Sequence, residues 1–405
     1  MEHTPSTEQA LAMMKIRQGY SLVINGEAGT GKSALIKQIA KTKNRKVIVT
    51  AVTGMAARKI GGTTISSFLK LGLYRHSDEL IQWNNREYLD VEILIIDEYF
   101  TLSIDQLRQV DLALRTAKKR KHEPFGGVQI ILVGDNGQLE PYEGLPITPE
   151  AEIVSGFTWM QFTTVFRQED IADVAMLRKI RNYGISQSVI ADLRTKTSSC
   201  EMEGVVLAAH WNEAEQINAE FLADFAGEEF LEHTASSSGK YTADLPYETI
   251  RLYVGMQVMH THNLTYGSYE DPDYIVNGDV GIVEEICYDG GSVRVQFDHC
   301  SVWISERYFS ENETSFVKEE NYATGYEKRL PVIEEVGHAS FFPLRPCYAL
   351  TVRKAQGIGF ERGNITEGVL RSNNRRLLYT ALSRFEKFSD LHILYIGPKR
   401  LMFAA

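Results

Sequence analysis

A glycine-rich octapeptide near the N-terminus has the residue types needed to hold a triphosphate. It fits G-x-x-x-x-G-K-[ST] at every fixed position and reads Gly26, Glu27, Ala28, Gly29, Thr30, Gly31, Lys32, Ser33. Glycines let backbone N–H groups surround phosphates without Cβ clashes. Lys32 can reach the β- and γ-phosphates, and the Ser33 hydroxyl can ligate Mg²⁺. The octapeptide therefore predicts a nucleotide-binding P-loop rather than an ordinary glycine turn.

Two further polar groups follow apolar runs and suit the hydrolysis of a nucleotide. Asp97 and Glu98 end the run EILIIDEY, about 65 residues after the P-loop. A carboxylate in this position can hold Mg²⁺ through water, and the next one can orient and deprotonate an attacking water. Gln138 follows VQIILVGD, where its amide can sense the γ-phosphate. The simpler interpretation of Asp97 and Glu98 is an acidic turn, but the preceding P-loop favours catalysis.

Short apolar strands and intervening helices must position these groups. The runs at 22–24, 46–50, 92–99 and 128–135 read as buried strands, and the residues after the P-loop recur at helical spacing. Several helix–strand alternations within 150 residues predict a parallel α/β sheet.

The second half of the chain has α/β sequence again, without a second P-loop. Strands are predicted at Thr163–Gln168, 205–209, 348–352 and 391–396. Between about 249 and 344, short strand-like runs with glycine turns predict a small inserted β-barrel. Ser236–Gly239 reads as a flexible hinge or loop, and the polar residues 311–340 give no clear assignment.

Composition limits the classes of protein that fit. The net charge of −10 counts against a protein that coats DNA nonspecifically, although a narrow basic channel is compatible with it. The four cysteines are far apart and form no C-x-x-C pair, which argues against a zinc or iron–sulfur module and fits a reducing cytosol. No apolar run approaches the roughly 18 residues of a membrane span.

The order of the short motifs resembles that of superfamily 1B DNA helicases of the RecD, Dda and Pif type. In size and layout, the chain is most similar to compact phage helicases such as Dda. In chain order the motifs are Gln9, GEAGTGKS, TGMAA, GTTISSF, IIDEY, GDNGQ, FRQ, GMQVM with VNGDVG, LTVRKAQG and YTALSR. The resemblance implies two RecA-like P-loop NTPase-type α/β domains with a small inserted SH3-like β-barrel. The implied domains are 1A at 1–165 with a short 1B-type insertion at about 69–90, 2A at 166–248 and 345–405, and 2B at 249–344.

The resemblance also implies a role for individual residues. Gln9 would recognise adenine, although a solvated helical glutamine is the better local interpretation. Lys32 and Ser33 would hold phosphate and Mg²⁺, Asp97 would hold Mg²⁺, Glu98 would act as base, and Gln138 would sense the γ-phosphate. Gly357 would lie at the nucleotide, and Arg167 and Arg384 would be arginine fingers, a role that suits planar guanidinium groups. The residues that would line the single-strand path are Thr53, Gly54, Thr64, Ser66, Phe68, Asn212, Thr351 and Lys354.

One position and one short segment depart from the family pattern, and one residue in the DNA path has a second interpretation. Arg353 stands where the family usually has His, and residues 357–361 replace Gly-x-Thr-x-Asp. A lone aromatic such as Phe68 packs in a core more often than it stacks on a base. These points affect DNA contacts and leave the predicted ATPase unchanged.

The implied function is that of an ATP-dependent DNA helicase that moves 5′→3′ on single-stranded DNA, with ATP and Mg²⁺ as cofactors. Expected partners are single-stranded DNA, tailed or forked duplex DNA and a single-strand-binding protein, and we expect a cytoplasmic monomer. One alternative is a single-strand-stimulated translocase that needs a partner protein to unwind. Another is a P-loop small-molecule kinase, which would have no use for second-domain arginines or an inserted barrel. A noncatalytic DNA-binding scaffold is disfavoured by the intact hydrolytic residues.

Overall fold

The computed structural model describes residues 5–42, 44–69, 90–166, 171–199, 204–241, 245–267, 272–321 and 326–394. These residues divide into two compact units. The first contains the described residues through Phe221 together with those from Tyr348 onward, and the second is Leu222–Cys347. The expected insertion at about 69–90 falls almost wholly outside the described residues.

The first unit contains a six-stranded parallel sheet with the order β3-β2-β4-β5-β1-β6. Its strands are β1 (Leu22–Gly26), β2 (Val47–Ala51), β3 (Thr63–Thr64), β4 (Ile93–Asp97), β5 (Gln129–Gly134) and β6 (Thr158–Phe162). Its helices are α1 (Thr7–Arg17), α2 (Lys32–Ala40), α3 (Gly54–Lys59), α4 (Ile65–Leu69) and α5 (Ile104–Lys118). Every residue of β1, β4 and β5 is buried, as expected for central parallel strands covered on both faces.

Alternate residues of the central strands pack into two hydrophobic layers, one on each face of the sheet. Ile93 and Ile95 of β4 join the layer that contains α1 and α2. Leu94 and Ile96 join the opposite layer, which contains α5. The period of two along a strand therefore explains why uninterrupted apolar runs, rather than alternating ones, mark these strands.

The same unit contains a second, four-stranded parallel sheet with the order β20-β7-β21-β22. Its strands are β7 (Val206–Ala208), β20 (Ala349–Thr351), β21 (Gly363–Thr366) and β22 (Leu391–Leu394). Its helices are α6 (Ile171–Tyr183), α7 (Gln187–Lys196), α8 (Trp211–Ala223), α9 (Glu367–Arg371) and α10 (Arg375–Leu382). The two parallel sheets confirm the predicted α/β fold class.

One strand prediction in this region is wrong. We predicted a strand at Thr163–Gln168, but strand β6 ends at Phe162 and residues 163–166 are irregular. Phe166 N instead donates a hydrogen bond to Gly29 O at 2.9 Å. The β-branched pair at 163–164 misled the prediction because strand propensity reflects packing context more than backbone preference.

The second unit is built from antiparallel strands. Its main sheet has five strands in the order β16-β15-β14-β11-β19, beside the pairs β10-β8 and β12-β13 and the three-stranded β17-β18-β9. The strands are β8 (Phe230–Thr234), β9 (Ser236–Gly239), β10 (Thr249–Tyr253), β11 (Gln257–His260), β12 (Leu264–Gly267), β13 (Pro272–Ile275), β14 (Val280–Cys287), β15 (Ser292–Phe297), β16 (Ser301–Ser305), β17 (Arg307–Asn321), β18 (Tyr326–Phe341) and β19 (Leu344–Pro346). An antiparallel β unit thus lies in the chain between strands β7 and β20 of the second parallel sheet.

Two parts of this unit differ from the sequence expectation. Ser236–Gly239 is strand β9 and not a hinge, because its backbone pairs with β18. Of the unassigned residues, 311–321 and 326–340 belong to the paired strands β17 and β18. Their polar sequence has no sustained apolar alternation, so the backbone pairing that organises them was not visible in the sequence.

Short 3₁₀ helices lie in some of the described connections. They are Tyr99–Thr101, Pro124–Gly127, Glu152–Val154 and Phe388–Asp390. Among the described helices, none is long and apolar enough to cross a membrane.

Candidate nucleotide and nucleic-acid site

The P-loop octapeptide joins β1 to α2 in a tightly curled conformation. Gly29 and Gly31 have φ values of 78° and 77°, in the left-handed region that favours glycine. The Lys32 ammonium donates to the carbonyl oxygens of Gly26 at 2.7 Å and Glu27 at 2.8 Å. Thr30 Oγ1 donates to Glu27 O at 2.8 Å. The loop thus wraps around its own lysine, and its fixed glycines suit a cradle for phosphate oxygens.

Gln9 lies directly against this loop. Its side chain is 3% exposed, and its Nε2 donates to Gly31 O at 3.0 Å. Its Oε1 accepts from Ser6 N at 2.9 Å, which completes the cap of α1. The interpretation of Gln9 as a solvated glutamine is therefore wrong, while its recognition of adenine stays a prediction.

Asp97 is the last residue of strand β4, and Glu98 follows it. In the sheet, β5 lies between β4 and the P-loop strand β1. Asp97 is 8% exposed, and its Oδ1 accepts from Glu98 N at 2.9 Å. Burial raises the pKa of Asp97 to about 7, the charge of Glu98 adds to this, and the Lys32 ammonium opposes it. Glu98 has a φ of 56°, a conformation that costs free energy for a residue other than glycine.

Two of the predicted residues carry oxygen donors of the kind that magnesium prefers. Ser33 offers a hydroxyl at the first turn of α2, and Asp97 offers a carboxylate at the end of β4. Mg²⁺ prefers one or two such protein oxygens together with phosphate oxygens and water. The buried carboxylate of Asp97 would gain most from a cation, because it has lost much of its hydration.

Gln138 lies where residues after β5 meet residues of the second sheet. It is 4% exposed, and its Oε1 accepts from Gln356 Nε2 at 3.3 Å. The next backbone N–H, that of Leu139, donates to Thr380 Oγ1 at 3.2 Å. Gln138 is thus bonded to the motif LTVRKAQG of the second sheet, and the residue that follows it is bonded to the motif YTALSR.

Arg384 is buried at the same junction. Its guanidinium donates to the carbonyl oxygens of Thr380 at 3.1 Å and Ile358 at 3.2 Å, and to Ser383 Oγ at 2.9 Å. Burial lowers its pKa, and the nearby negative charge of Glu98 acts in the opposite direction. All of its hydrogen bonds with described residues are thus made to residues after β20, and none is made to Glu98. Arg167, the other predicted finger, lies outside the described residues.

Two arginines of α6 that belong to none of the quoted motifs pair with acidic residues of the P-loop and of the segment after β5. Arg178 Nε pairs with Glu27 Oε2 of the P-loop at 2.7 Å. Arg181 Nη2 pairs with Asp135 Oδ1 at 2.9 Å. The sequence reasoning missed both residues. Their spacing of three places them on one helix face just after FRQ, which is a weak signal by itself.

The predicted DNA residues of the first sheet follow the ends of β2 and β3. Thr53 Oγ1 accepts from Ala56 N at 3.3 Å and caps α3, whose first residue is the buried Gly54. Gly357 has a φ of 87°, and a Cβ there would lie 3.2 Å from Thr53 Oγ1. Gly357 therefore packs closely against the start of α3.

Three further predicted residues lie around α4. Thr64 Oγ1 donates to Ser67 Oγ at 2.8 Å, and Ser66 is exposed. Phe68 is half-buried and packs against the hydrophobic layer of α5, which favours the packing role over base stacking. The hydroxyls remain accessible for phosphate contacts, and those contacts remain predictions.

The predicted DNA residues of the second sheet follow β7 and β20. These strands are parallel neighbours, so their C-terminal ends share an edge. Asn212 is exposed in the first turn of α8, Thr351 ends β20, and Lys354 is exposed just after it. Arg353, the departure from the family pattern, donates instead to Glu140 O at 2.7 Å.

The sequence and the fold were compared with known proteins. The family model described as PIF1-like helicase matches residues 5–176. The ATP-dependent DNA helicase PIF1 of Mus musculus is 27% identical over 417 residues, which cover 97% of this chain and 60% of the mouse protein. The curated relatives are therefore considerably longer than this chain.

Two solved structures are similar along nearly the whole chain. A Bacteroides Pif1 helicase in complex with ADP-AlF3 and ssDNA is 26% identical with a TM-score of 0.74, covering 97% of this chain and 92% of that one. A Pif1 structure described for DNA unwinding at forked dsDNA by two coordinating helicases is 25% identical with a TM-score of 0.75, covering 96% and 92%. The resemblance to superfamily 1B helicases is confirmed, whereas these comparisons do not test the particular likeness to phage Dda.

Proposed function

Because the chain is similar to PIF1-like helicases along nearly its whole length, we propose that it is an ATP-dependent DNA helicase. The observation that supports the proposal is the contact between the two parallel sheets at Gln138 and Leu139, which bond Gln356 and Thr380. The P-loop, Asp97 and Glu98 come from the first sheet, and Arg384 comes from a segment of the second.

The residues of this edge have distinct chemical roles in the proposed reaction. Lys32 exchanges its bonds to the loop carbonyls for bonds to the β- and γ-phosphates of ATP. Glu98 orients the attacking water and accepts its proton, while Gln138 responds to the γ-phosphate. Arg384 stabilises the charge that develops on the transferred phosphoryl group.

Magnesium and adenine recognition complete the proposed site. Ser33 and Asp97 would hold Mg²⁺, which supplies charge neutralisation at the phosphates when bound. Gln9 would contact adenine in addition to supporting the P-loop through Gly31. The remaining octapeptide residues and Gly357 would shape the walls around the nucleotide.

Single-stranded DNA would lie across the edges where the parallel strands end. Thr53, Thr64 and Ser66 offer hydroxyls from the first sheet. Asn212, Thr351 and Lys354 offer polar groups from the second. Such contacts recognise the phosphate backbone without reading sequence, so affinity should depend little on sequence and should fall only modestly with salt.

We further propose that the two parallel sheets act as domains 1A and 2A, with the antiparallel unit as an inserted domain 2B. The family resemblance supports 5′→3′ movement, tailed or forked duplex DNA as substrate, and a single-strand-binding protein as partner. The proposed form is a cytoplasmic monomer. Cys287 and Cys347 form no disulfide within the part of the chain that the structure describes, which is compatible with a reducing compartment.

The decisive experiment measures ATP hydrolysis with and without single-stranded DNA, followed by unwinding of duplexes with a 5′ or a 3′ tail. Strong stimulation of hydrolysis by DNA and unwinding of the 5′-tailed substrate are expected. Stimulation without unwinding would indicate a translocase that needs a partner. Hydrolysis or phosphate transfer that ignores DNA would overturn the proposal in favour of a kinase or another P-loop enzyme.

A further inference from the structure

The loop of residues 140–145, which lies between strands β5 and β6, is fixed at both of its ends. At one end, the carbonyl oxygen of Glu140 accepts a hydrogen bond from Arg353 Nη1 at 2.7 Å. At the other end, the carbonyl oxygen of Leu145 accepts one from Ile104 N at 2.9 Å. A side chain in the middle of the loop therefore has less backbone freedom to lose when it binds a ligand.

Tyr142 lies in the middle of this loop, and 83% of its surface is exposed. The guanidinium of Arg353 lies over its ring, with the central carbon 5.7 Å from the ring centroid. A guanidinium in this position is attracted by the quadrupole of the ring. The same arginine also holds the loop at Glu140. The ring is therefore supported on one face, while most of its surface stays accessible to another flat group.

Arg353 places the ring beside the proposed path of single-stranded DNA. In the sequence it lies between Thr351, the last residue of β20, and Lys354, and both of these residues are assigned to that path. Strand β20 pairs with β7, whose end leads to Asn212, a third residue of the path. Because its ring is in contact with Arg353, Tyr142 lies near a strand that these residues bind.

The charges of the loop favour a base over a phosphate as the group that meets the ring. The carboxylate of Glu140 is already paired with Arg376 at 3.0 Å, whereas the neighbouring Glu143 is exposed and its negative charge repels phosphates. A base is uncharged, and every base has a π-face that can stack on an aromatic side chain. A stacking contact therefore suits Tyr142 and needs no preferred sequence.

We propose that Tyr142, supported by Arg353, is a stacking contact for one base of a bound single-stranded DNA. This inference rests on the proposed function, because it requires that the strand follows the ends of β7 and β20. The base lies on the open face of the ring, opposite the guanidinium. The contact adds affinity without neutralising a phosphate, which distinguishes it from the polar contacts proposed for Thr351 and Lys354.

The first arm of the test measures the affinity of the full chain for an oligothymidylate strand at several salt concentrations. Tyr142→Ala should raise the Kd about 5- to 150-fold, the usual effect of losing one base–aromatic stack. The slope of log Kd against log salt concentration should stay unchanged, because no phosphate contact is lost. Tyr142→Phe retains the ring and should bind like the wild type.

Two controls separate the loss of this contact from a change in folding. Because Tyr142 is exposed, Tyr142→Ala should keep the melting temperature of the wild type. Tyr183→Ala removes a tyrosine that is 87% exposed at the end of helix α6, and it should leave the Kd unchanged. An equal loss of affinity in Tyr183→Ala would overturn the inference, because the effect would not be specific to the 140–145 loop.

The second arm removes the base instead of the ring. A single abasic position is moved along the shortest oligothymidylate that binds tightly, so that the strand cannot shift its register. At one position the abasic site should weaken binding to the wild type and have little further effect on Tyr142→Ala, because both changes remove the same contact.

Three results would overturn the inference while leaving the proposed function intact. They are full additivity of Tyr142→Ala with the abasic site at every position, an unchanged Kd in Tyr142→Ala, and a reduced salt slope in that variant. A wild-type chain that binds no single-stranded DNA would overturn the proposed function itself, and the inference with it.

Discussion

The hydroxyl of Tyr379 donates a 2.6 Å hydrogen bond to Asp135 Oδ2, which joins helix α10 to the end of strand β5. Asp135 is 1% exposed, and its Oδ1 accepts from Gly137 N and Arg181 Nη2, each at 2.9 Å. Burial and the charge of Asp135 raise the pKa of Tyr379 well above its usual value, so the phenol remains a donor. One buried carboxylate therefore links both parallel sheets beside Gln138.

Tyr379→Phe should weaken this link without leaving a large cavity. Hydrogen bonds to charged groups contribute about 1.5–3 kcal/mol, so we expect a lower free energy of unfolding of that size. DNA-stimulated kcat should fall as well, because the bond connects the segment of Gln138 to that of Arg384. Urea unfolding and steady-state ATPase assays test this, with Tyr20→Phe at a 46% exposed tyrosine as control. Unchanged stability and a kcat within twofold would contradict the role.

Lys32→Ala and Glu98→Gln should each lower ATP turnover by at least about 10²-fold. The first removes the main positive charge at the phosphates, and the second removes the base while preserving shape. Glu98→Gln should still bind ATP. Turnover and nucleotide affinity are measured together, with Lys41→Ala at the exposed end of α2 as control. A Glu98→Gln protein with near-normal turnover would rule out Glu98 as the base.

Arg384→Ala should lower DNA-stimulated turnover more than ATP affinity. An arginine finger supplied in trans contributes roughly 10³–10⁵-fold in GTPases, and we expect a smaller loss because Arg167 would share the task. The double variant with Arg167→Ala should then lose less than the product of the two single losses. Because Arg384 is 9% exposed, thermal melting must show that each variant is folded.

The variant Arg384→Lys helps to distinguish a loss of catalysis from a loss of folding at this position. Lysine retains the charge but not the planar fork, so turnover should stay low if bidentate contact with phosphate oxygens is required. If folded Arg384→Ala keeps DNA-stimulated turnover within about twofold of wild type, the second-sheet half of the proposed site is wrong.

Arg178→Ala should raise the KM for ATP several-fold while changing stability little. The pair with Glu27 is partly exposed, with side chains 42% and 17% accessible, so its contribution to folding is about 0–1 kcal/mol. Without Arg178, the Glu27 carboxylate would repel the triphosphate. The double variant Arg178→Ala with Glu27→Gln should restore the KM. If the single variant Arg178→Ala and the double variant have the same raised KM for ATP, neutralisation of the Glu27 charge does not explain the effect of Arg178.

His260 should make the antiparallel unit sensitive to acid. It is fully buried, its two ring nitrogens bond His262 O at 2.6 Å and the Tyr266 hydroxyl at 2.9 Å, and burial lowers its pKa from 6.5 to about 4. Between these values the unfolded chain binds the extra proton and the folded chain does not. The free energy of unfolding should therefore fall by up to about 3 kcal/mol as the pH drops from 6.5 to 4.

Melting curves across this pH range test the role of His260. His260→Gln should flatten the pH dependence even if it lowers stability at neutral pH, because glutamine does not titrate. The matched control is His299→Gln at an exposed histidine of the same unit. An equal acid loss in wild type and His260→Gln would assign the effect to other groups.

The sequence by itself determined the fold class and the identity of the phosphate-binding loop. The runs of β1, β4 and β5 are apolar at nearly every position because both of their faces are covered, and this pattern is local. The P-loop is equally local, since Gly29 and Gly31 adopt conformations that glycine alone adopts freely. Both patterns can therefore be recognised in the sequence without knowledge of the tertiary contacts.

Only the tertiary structure decided which polar residues meet. Tyr379 and Asp135 are separated by 244 residues, and Arg178 and Glu27 by 151, so no spacing in the sequence brings either pair together. Among the described residues, the Tyr99 hydroxyl has no hydrogen-bond partner, and this is likewise a property of the packing around it. Long-range hydrogen bonds and unsatisfied groups depend on how sheets and helices pack, and a linear pattern of residue types carries no record of that geometry.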